Sequence, residues 1–433
     1  MNRFLMVAFH FPPQAGSSGQ LRSLKLCRYL PEFGWKPSVL TAHPRAYDAT
    51  DDRRLADIPP GTEIHRVFAL DSRKHLAWKG RFLRFTALPD RAVTWVLGAI
   101  PKALSLIRSE NLDLIYTTFP TSTAVLIGVI LQKLTGKPWV SDLRDSITED
   151  GYPRDPRVWR MWRWIEGQMV KRASRIIMTA DQTRRMYLDR YPDLDPNRCV
   201  VILNGFDEED FKDLPRSAPA ADSRPLRLVH GGVLYPDQRD PLPFFRTLAR
   251  LKSTGFITAS QLSVELRAPG SEDYYLKAIQ ECDIGDIVRI LPMLPYRESL
   301  RDAALADGLL VFQGQICNHQ IPAKVYEYLR LRKPIFALTD HAGDTAALLR
   351  DNGGSTIVDI ADEEAITREF PLFFQKLRSL SHPVPDPNLV SRYARRSQAQ
   401  RMAEIFNQIK FGDMVHKASD RVTHSDAAVG ASH

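Results

Sequence analysis

Apolar residues in this chain come in short continuous runs, each followed by a glycine- or proline-bearing turn and then by a stretch with helical spacing. Phe4 to Phe9 is a run of strand length. The turn from Phe11 to Arg22 carries Pro12, Pro13, Gly16 and Gly19, and Leu24, Leu30 and Phe33 follow at helical spacing as far as Gly34. Pro37–Thr41 predicts the next strand. Leu112–Thr118, Lys137–Asp145, Ser174–Ala180 and Cys199–Leu203 predict four more, with a helix from Thr121 to Leu134 between the first two. Strands that are apolar throughout, alternating with helices, predict a parallel, doubly wound sheet.

Leu214 to Pro225 has no apolar period and reads as a linker. Beyond it the alternation restarts. Leu226–His230 is a strand, Gly231-Gly232 a glycine turn, and Pro243–Leu251 a helix. Further strands are predicted at Val264–Ala268, Val288–Leu291, Gly308–Phe312, Ile335–Leu338 and Ser355–Val358. A helix with Pro322 at its first position and Val325, Tyr328 and Leu329 on one stripe leads into Ile335. The pattern predicts an α/β chain of two Rossmann-like domains facing each other across a cleft. Their bounds are residues 1–213 and 226–387, joined by the linker 214–225. A helix over 388–411 returns to the first domain, and 412–433 is a polar, disordered tail.

Composition narrows the classes. A chain of 433 residues with 44% hydrophobic and 25% charged residues is an ordinary globular protein of about two cores. Cys27, Cys199, Cys282 and Cys317 are scattered, which predicts free thiols, no disulfide and no metal site. No window approaches the ~18 apolar residues of a membrane span, and the first nine residues are too short for a signal peptide. The net charge of +8 suits phosphate-bearing ligands or an anionic surface. Nucleic acid is not expected, for lack of any recognition motif. Arg73, Lys74, Lys79, Arg81, Arg84 and Arg91 alternate with Leu76, Trp78, Phe82, Leu83, Phe85, Trp95 and Leu97, and Trp159, Trp162 and Trp164 lie among Arg157, Arg160 and Arg163. Both segments suit a membrane interface or an ordinary packed helix pair.

Candidate chemistry gathers at predicted strand ends. The helix start at Pro322 offers free N–H groups, and Lys324 one turn in suits an anion such as a diphosphate. Glu327 a turn later can accept hydrogen bonds from a ribose diol. The glycines of the first turn, with Gly16, Ser17 and Gly19, let backbone approach a ligand, although their spacing is not that of a dinucleotide fingerprint. Asp142, Arg144 and Asp145 end a strand where open α/β sheets bind ligands. An internal salt bridge explains them equally well.

Taken in order, Phe11-Pro12-Pro13…Gly16…Gly19…Arg22, Pro138-Trp139-Val140…Asp142…Arg144-Asp145 and Leu203-Asn204-Gly205-Phe206-Asp207 in the first half resemble glycosyltransferases of the GT-B fold, family 4 type. So do His230-Gly231-Gly232-Val233-Leu234-Tyr235…Arg239-Asp240-Pro241 and Pro322-Ala323-Lys324-Val325-Tyr326-Glu327-Tyr328 in the second. The resemblance spans residues 1 to about 411. It implies a cytoplasmic, metal-independent enzyme with no cofactor, taking a nucleotide-diphosphate sugar as co-substrate. The sugar passes, with retention, to a glycan or lipid-linked acceptor in cell-surface polysaccharide or glycolipid assembly, with peripheral contact to the inner face of an anionic membrane. Two other outcomes stay open: an inactive sugar-nucleotide binder and a nucleotide-sugar epimerase. By similarity Gly16, Ser17, Gly19, Gly232, Arg239, His319, Pro322, Lys324 and Glu327 bind the donor. His319 stands where the family has the first of two glutamates separated by seven residues. Arg239 and Lys324 serve the leaving diphosphate, and Arg22 and Arg144 lie on the acceptor side. Thr118-Phe119-Pro120 replaces a loop histidine, a role that passes to Asp142 or Asp145.

Overall fold

The structure, a computed structural model, describes residues 1–15, 19–76, 84–215 and 224–429, without the side chains of 84–85 and 413–429. The chain divides into two compact units. One holds Met1–Thr179, Thr183–Ile202 and the chain from Arg395 onward; the other holds Ala180–Gln182 and Leu203–Ala394.

The first unit is built on a seven-stranded sheet of β1 (Asn2–Val7), β2 (Trp35–Ala42), β3 (Glu63–Val67), β4 (Leu114–Thr118), β5 (Trp139–Leu143), β6 (Arg175–Met178) and β7 (Cys199–Val201). Their order is β3-β2-β1-β4-β5-β6-β7, with all pairs parallel. Central strand β1 is apolar on both faces for a simple reason. Leu5 and Val7 meet the helices on one side of the sheet, with Trp95 and Ala99, while Phe4 and Met6 meet the other side. That other side is closed by the helix Arg395–Val429, whose Met402 and Phe406 sit against Phe4 and Trp35. Phe406 is edge-on to Phe4 at 5.1 Å and to Trp35 at 5.2 Å. Trp35 Nε1 donates to Asn407 Oδ1 at 2.9 Å. Strand β3 was not expected, because Glu63-Ile64-His65-Arg66-Val67 has no apolar run. It is an edge strand, tied by Glu63 to Lys36 at 2.7 Å and to Arg3.

The second unit has a six-stranded parallel sheet: β8 (Leu226–Gly231), β9 (Leu262–Arg267), β10 (Val288–Leu291), β11 (Gly308–Gln313), β12 (Ile335–Thr339) and β13 (Ser355–Val358), in the order β10-β9-β8-β11-β12-β13. The expected boundaries shift in two places. Leu203–Phe211 belongs to this unit, because Phe206 and Phe211 are buried with Val325, Tyr326 and Leu329. Pro387–Val390 and Ser391–Tyr393 are short helical turns of the same unit, Tyr393 stacking edge-on with Tyr326 at 5.3 Å. The final helix therefore starts at Arg395, not 388. It continues to Val429 through the expected tail, where no glycine or proline interrupts residues 413–429. Most of the linker, 216–223, lies outside the described residues.

In each sheet the strand order reverses once, between β1 and β4 and between β8 and β11. Outside the carboxyl ends of such strands, open α/β sheets hold their ligands.

Candidate functional site

In the second unit, β8 ends in His230 and Gly231. The His230 ring is buried, and its Nδ1 lies 2.9 Å from the carbonyl oxygen of Leu310 on β11. A carbonyl only accepts, so Nδ1 carries the proton and Nε2 offers a lone pair. Lys324 Nζ donates to that nitrogen at 3.3 Å. Burial first, and then the Lys324 charge, hold His230 well below the usual imidazole range. Lys324 itself is lowered from 10.5 to about 7, chiefly by burial and then by the charge of Arg239, with Glu327 opposing.

The lysine needs room, and Gly232 supplies it. A Cβ on Gly232 would lie 2.7 Å from Lys324 Nζ, and the backbone there has φ +111°. The glycine turn is pinned from below by Tyr328, whose hydroxyl accepts from Gly231 N at 3.1 Å. Arg239 carries a buried Nε with no hydrogen-bond partner among the described residues, and its guanidinium stands 5.8 Å over the Tyr235 ring. Glu327 Oε1 accepts from the Tyr296 hydroxyl at 3.0 Å. Helix Ala323–Leu331 begins one residue later than expected: Pro322 is its extended N-cap (φ −58°, ψ 133°), with its carbonyl accepting from Val325 N at 3.0 Å. His319 lies in the loop before it, its Nε2 3.4 Å from Gln320 Nε2. Buried Gln313 secures that loop by donating to Cys317 O at 3.0 Å and Gln320 O at 3.3 Å. Chemically, this is a pair of cations beside a helix start and a glycine turn that no side chain crowds, an arrangement suited to a polyanion.

Residues 19–205 match the family model of the glycosyl transferase 4-like domain. This stretch is similar to a glycosyl transferase 4-like domain. No curated protein matches the chain in sequence. Solved structures match nearly its whole length. Sucrose-phosphate synthase from Thermosynechococcus elongatus is 12% identical, with TM-score 0.62 over 94% of this chain and 99% of that one. HepE from Anabaena, in complex with UDP and glucose, is 15% identical, with TM-score 0.58 over 97% of this chain and 100% of that one. The UDP-GlcNAc 2-epimerase from Methanocaldococcus jannaschii is 10% identical, with TM-score 0.52 over 94% and 99%. These likenesses show the fold, which is GT-B.

Within the first unit, the residues singled out from sequence separate into two groups. Asp142 is fully buried on β5 and holds Arg22, whose Nε lies 2.7 Å from Oδ2; the Tyr116 hydroxyl meets the same oxygen. Burial alone lowers the Arg22 pKa, but the Asp142 carboxylate outweighs it and raises the guanidinium above its usual range. Arg22 also donates to Ile202 O at 3.2 Å. Asp142 and Arg22 are thus an internal pair, a correction to their expected catalytic and acceptor-side roles: no face of Asp142 is left for a substrate. Arg144 is half-buried, donates to Ser23 Oγ at 3.0 Å and is lowered by burial, while Asp145 is exposed. Gly19 opens the first helix; Gly16 and Ser17 lie outside the described residues.

The pattern of apolar and charged residues missed His230 as a working group, placed Tyr328 only on a buried helix stripe and did not single out Tyr296. A histidine at the last buried position of a strand, directly before two glycines, was the available signal for the first. The tyrosines join the site only through tertiary packing. Of the basic aromatic segments, Trp95 and Trp162 are buried and Trp159 is half-buried, with Trp162 donating to Pro89 O at 2.7 Å and Trp159 to Glu149 O at 3.1 Å. Trp164, Arg157 and Arg160 face solvent. Trp78, Lys79, Arg81, Phe82 and Leu83 lie outside the described residues.

Proposed function

We propose that this protein is a glycosyltransferase that takes a nucleotide-diphosphate sugar and passes the sugar to a glycan or lipid-linked hydroxyl, in cell-surface polysaccharide or glycolipid assembly. The observation that carries the reading is Lys324, seated on His230 above Gly232 with Arg239 nearby, at the reversal point of the second sheet. Breaking the bond between sugar and phosphate leaves negative charge on the diphosphate. Lys324, Arg239 and the N–H groups opening helix Ala323–Leu331 can meet that charge, each such contact contributing about 2–4 kcal/mol in the transition state. These cations support a metal-independent reaction. Glu327, oriented by Tyr296, is read as the ribose ligand, and His319 with Gly232 and Pro322 as further donor contacts. UDP is the nucleotide to try first, because it occupies HepE, a protein of the same fold. With no carboxylate assigned as nucleophile, front-face attack with retention is the favoured course.

UDP should raise the melting temperature, and a UDP-sugar should be consumed in the presence of EDTA with transfer to added glycan acceptors. Glu327→Ala should lower transfer more than threefold. A UDP-sugar converted to its epimer with no acceptor present would make the protein an epimerase instead. Nucleotide binding with no turnover of any nucleotide sugar would make it an inactive binder. The anomeric configuration of the product, read by proton NMR, decides retention.

A further inference from the structure

The His230 ring, 2% exposed at the end of β8, ties the two strands of the second sheet's reversal together, because its Nδ1 donates to Leu310 O on β11. Phe312, two residues further along β11, meets the ring edge-on at 5.1 Å and is itself packed edge-on against Phe244 at 6.0 Å. Ring plane and tautomer are therefore both fixed. What remains is the Nε2 lone pair, held in one direction.

That direction is toward Lys324. Among the described residues, His230 Nε2 is the one hydrogen-bond partner of the Lys324 side chain, which makes no ion pair. Glu327, a turn further along the same helix, accepts from Tyr296 instead. The ordinary partner of a buried ammonium is a carboxylate, and such a pair is neutral as a whole. An imidazole differs. Burial and then the Lys324 charge keep the ring uncharged, with Arg239 acting in the same direction. It accepts the N–H and leaves the positive charge uncompensated. The glycine turn below is rigid, Gly232 N donating to Arg267 O at 2.8 Å and Gly231 N to the Tyr328 hydroxyl at 3.1 Å. Its missing Cβ, which would lie 2.7 Å from Nζ, gives the amine its place.

We infer that His230 is a positioning residue: it holds Lys324 over the glycine turn without neutralising it, so that the charge meets the diphosphate of a bound nucleotide. This rests on the nucleotide-sugar reading above. His230 acts only through Lys324. The imidazole fixes where the amine stands, and phosphate oxygens take its remaining N–H bonds when the nucleotide arrives. All of these groups belong to the second unit. Putting an anion in place of the ring is then more harmful than removing the acceptor, because a carboxylate pairs with Lys324 and cancels its charge.

The test measures binding by calorimetry at pH 7, with the full chain and UDP, ADP, GDP, CDP and dTDP as probes. Wild type binds at least one of them. For that nucleotide, Lys324→Met lowers affinity about 30-fold, the loss of one charge-assisted hydrogen bond. His230→Phe lowers it about tenfold, and the double variant binds no worse than Lys324→Met alone, since His230 then has nothing to act on. His230→Gln, whose amide can donate to Leu310 O and accept from Lys324, stays within about threefold of wild type. His230→Glu falls at least as far as Lys324→Met. A histidine that only supports the fold gives another result, with the two single losses multiplying in the double variant. That outcome overturns the inference, as does affinity of His230→Phe within about twofold of wild type. If His230→Phe does not fold, the nitrogen chemical shifts of the His230 ring decide. Nε2 resonates as an unprotonated acceptor in wild type and moves when Lys324→Met removes its donor; an Nε2 that is protonated, or that does not move, overturns the inference. If wild type binds none of the five nucleotides, the nucleotide-sugar reading itself has failed, and the inference with it.

Discussion

At the scale of single residues, Lys324 decides most. Its pKa of about 7 against 10.5 in the unfolded chain means that the folded protein binds fewer protons between those values. Stability from this group therefore rises with pH across that window, and its penalty is present in full below about 7. An arriving diphosphate reverses the balance by favouring the ammonium. Calorimetric titration of UDP at pH 8 in buffers of different ionisation enthalpy should show uptake approaching one proton, and Lys324→Met should abolish it. Proton uptake unchanged in that variant would remove Lys324 from the anion site. Arg22 and Asp142 illustrate the opposite use of buried charge. Asp142→Ala leaves a buried guanidinium unpaired and should destabilise the protein by about 3–5 kcal/mol, read from denaturant unfolding. Arg22→Met with Asp142→Leu should recover most of that loss. The two carboxylates offered as alternatives for one role, Asp142 and Asp145, looked alike in sequence. One is fully buried and the other exposed, a difference set by the neighbours that β5 meets across the sheet and therefore hidden from local pattern.

At the scale of elements, the sequence was most legible where both faces of a strand are buried. β1, β4, β11 and β12 stand where continuous apolar runs predicted them, because no polar face dilutes the signal. Edge strand β3 escaped for the converse reason, its residues serving ion pairs. Unit boundaries were harder to read. The stretch 203–213 lacks a clear period, and only the burial of Phe206 and Phe211 assigns it to the second unit. The candidate site was half legible: Lys324, Arg239 and Glu327 carry charge at a helix start or turn, whereas His230 depends on which strand lies beside β8 and Tyr328 on how its helix packs against the end of that strand. The final helix closes one face of the first sheet, and Phe406 is fully buried among Phe4, Trp35 and Tyr116. Phe406→Ala should cost about 3–5 kcal/mol, and a chain cut before Arg395 should lose cooperative unfolding of the first unit. Near wild-type unfolding of Phe406→Ala would show that the helix is dispensable.

At the scale of the whole molecule, the net charge of +8 raises the question of what anionic surface it meets. No described helix is long and apolar enough to cross a membrane. Helix Pro156–Arg172 instead offers a solvent-facing stripe of Arg157, Arg160, Trp164 and Lys171, spaced so that all four share one side. Trp164 is 52% exposed, while Trp162 and Ile165 anchor the opposite side of the helix in the core. An exposed indole flanked by cations has the composition of an interfacial anchor. Each basic residue near an anionic leaflet contributes about 1 kcal/mol, and the attraction fades beyond the ~10 Å screening length at 0.1 M salt. Three cations with one tryptophan therefore predict weak, reversible binding. The protein should sediment with phosphatidylglycerol vesicles at low salt, dissociate as salt rises, and ignore phosphatidylcholine vesicles. Trp164→Ala and Arg160→Glu should each weaken sedimentation severalfold without lowering UDP affinity, since both residues lie in the first unit and the candidate diphosphate groups in the second. Failure of wild type to sediment with the anionic vesicles at low salt would make the stripe an ordinary solvated helix face, and the source of the acceptor would then have to be sought in solution.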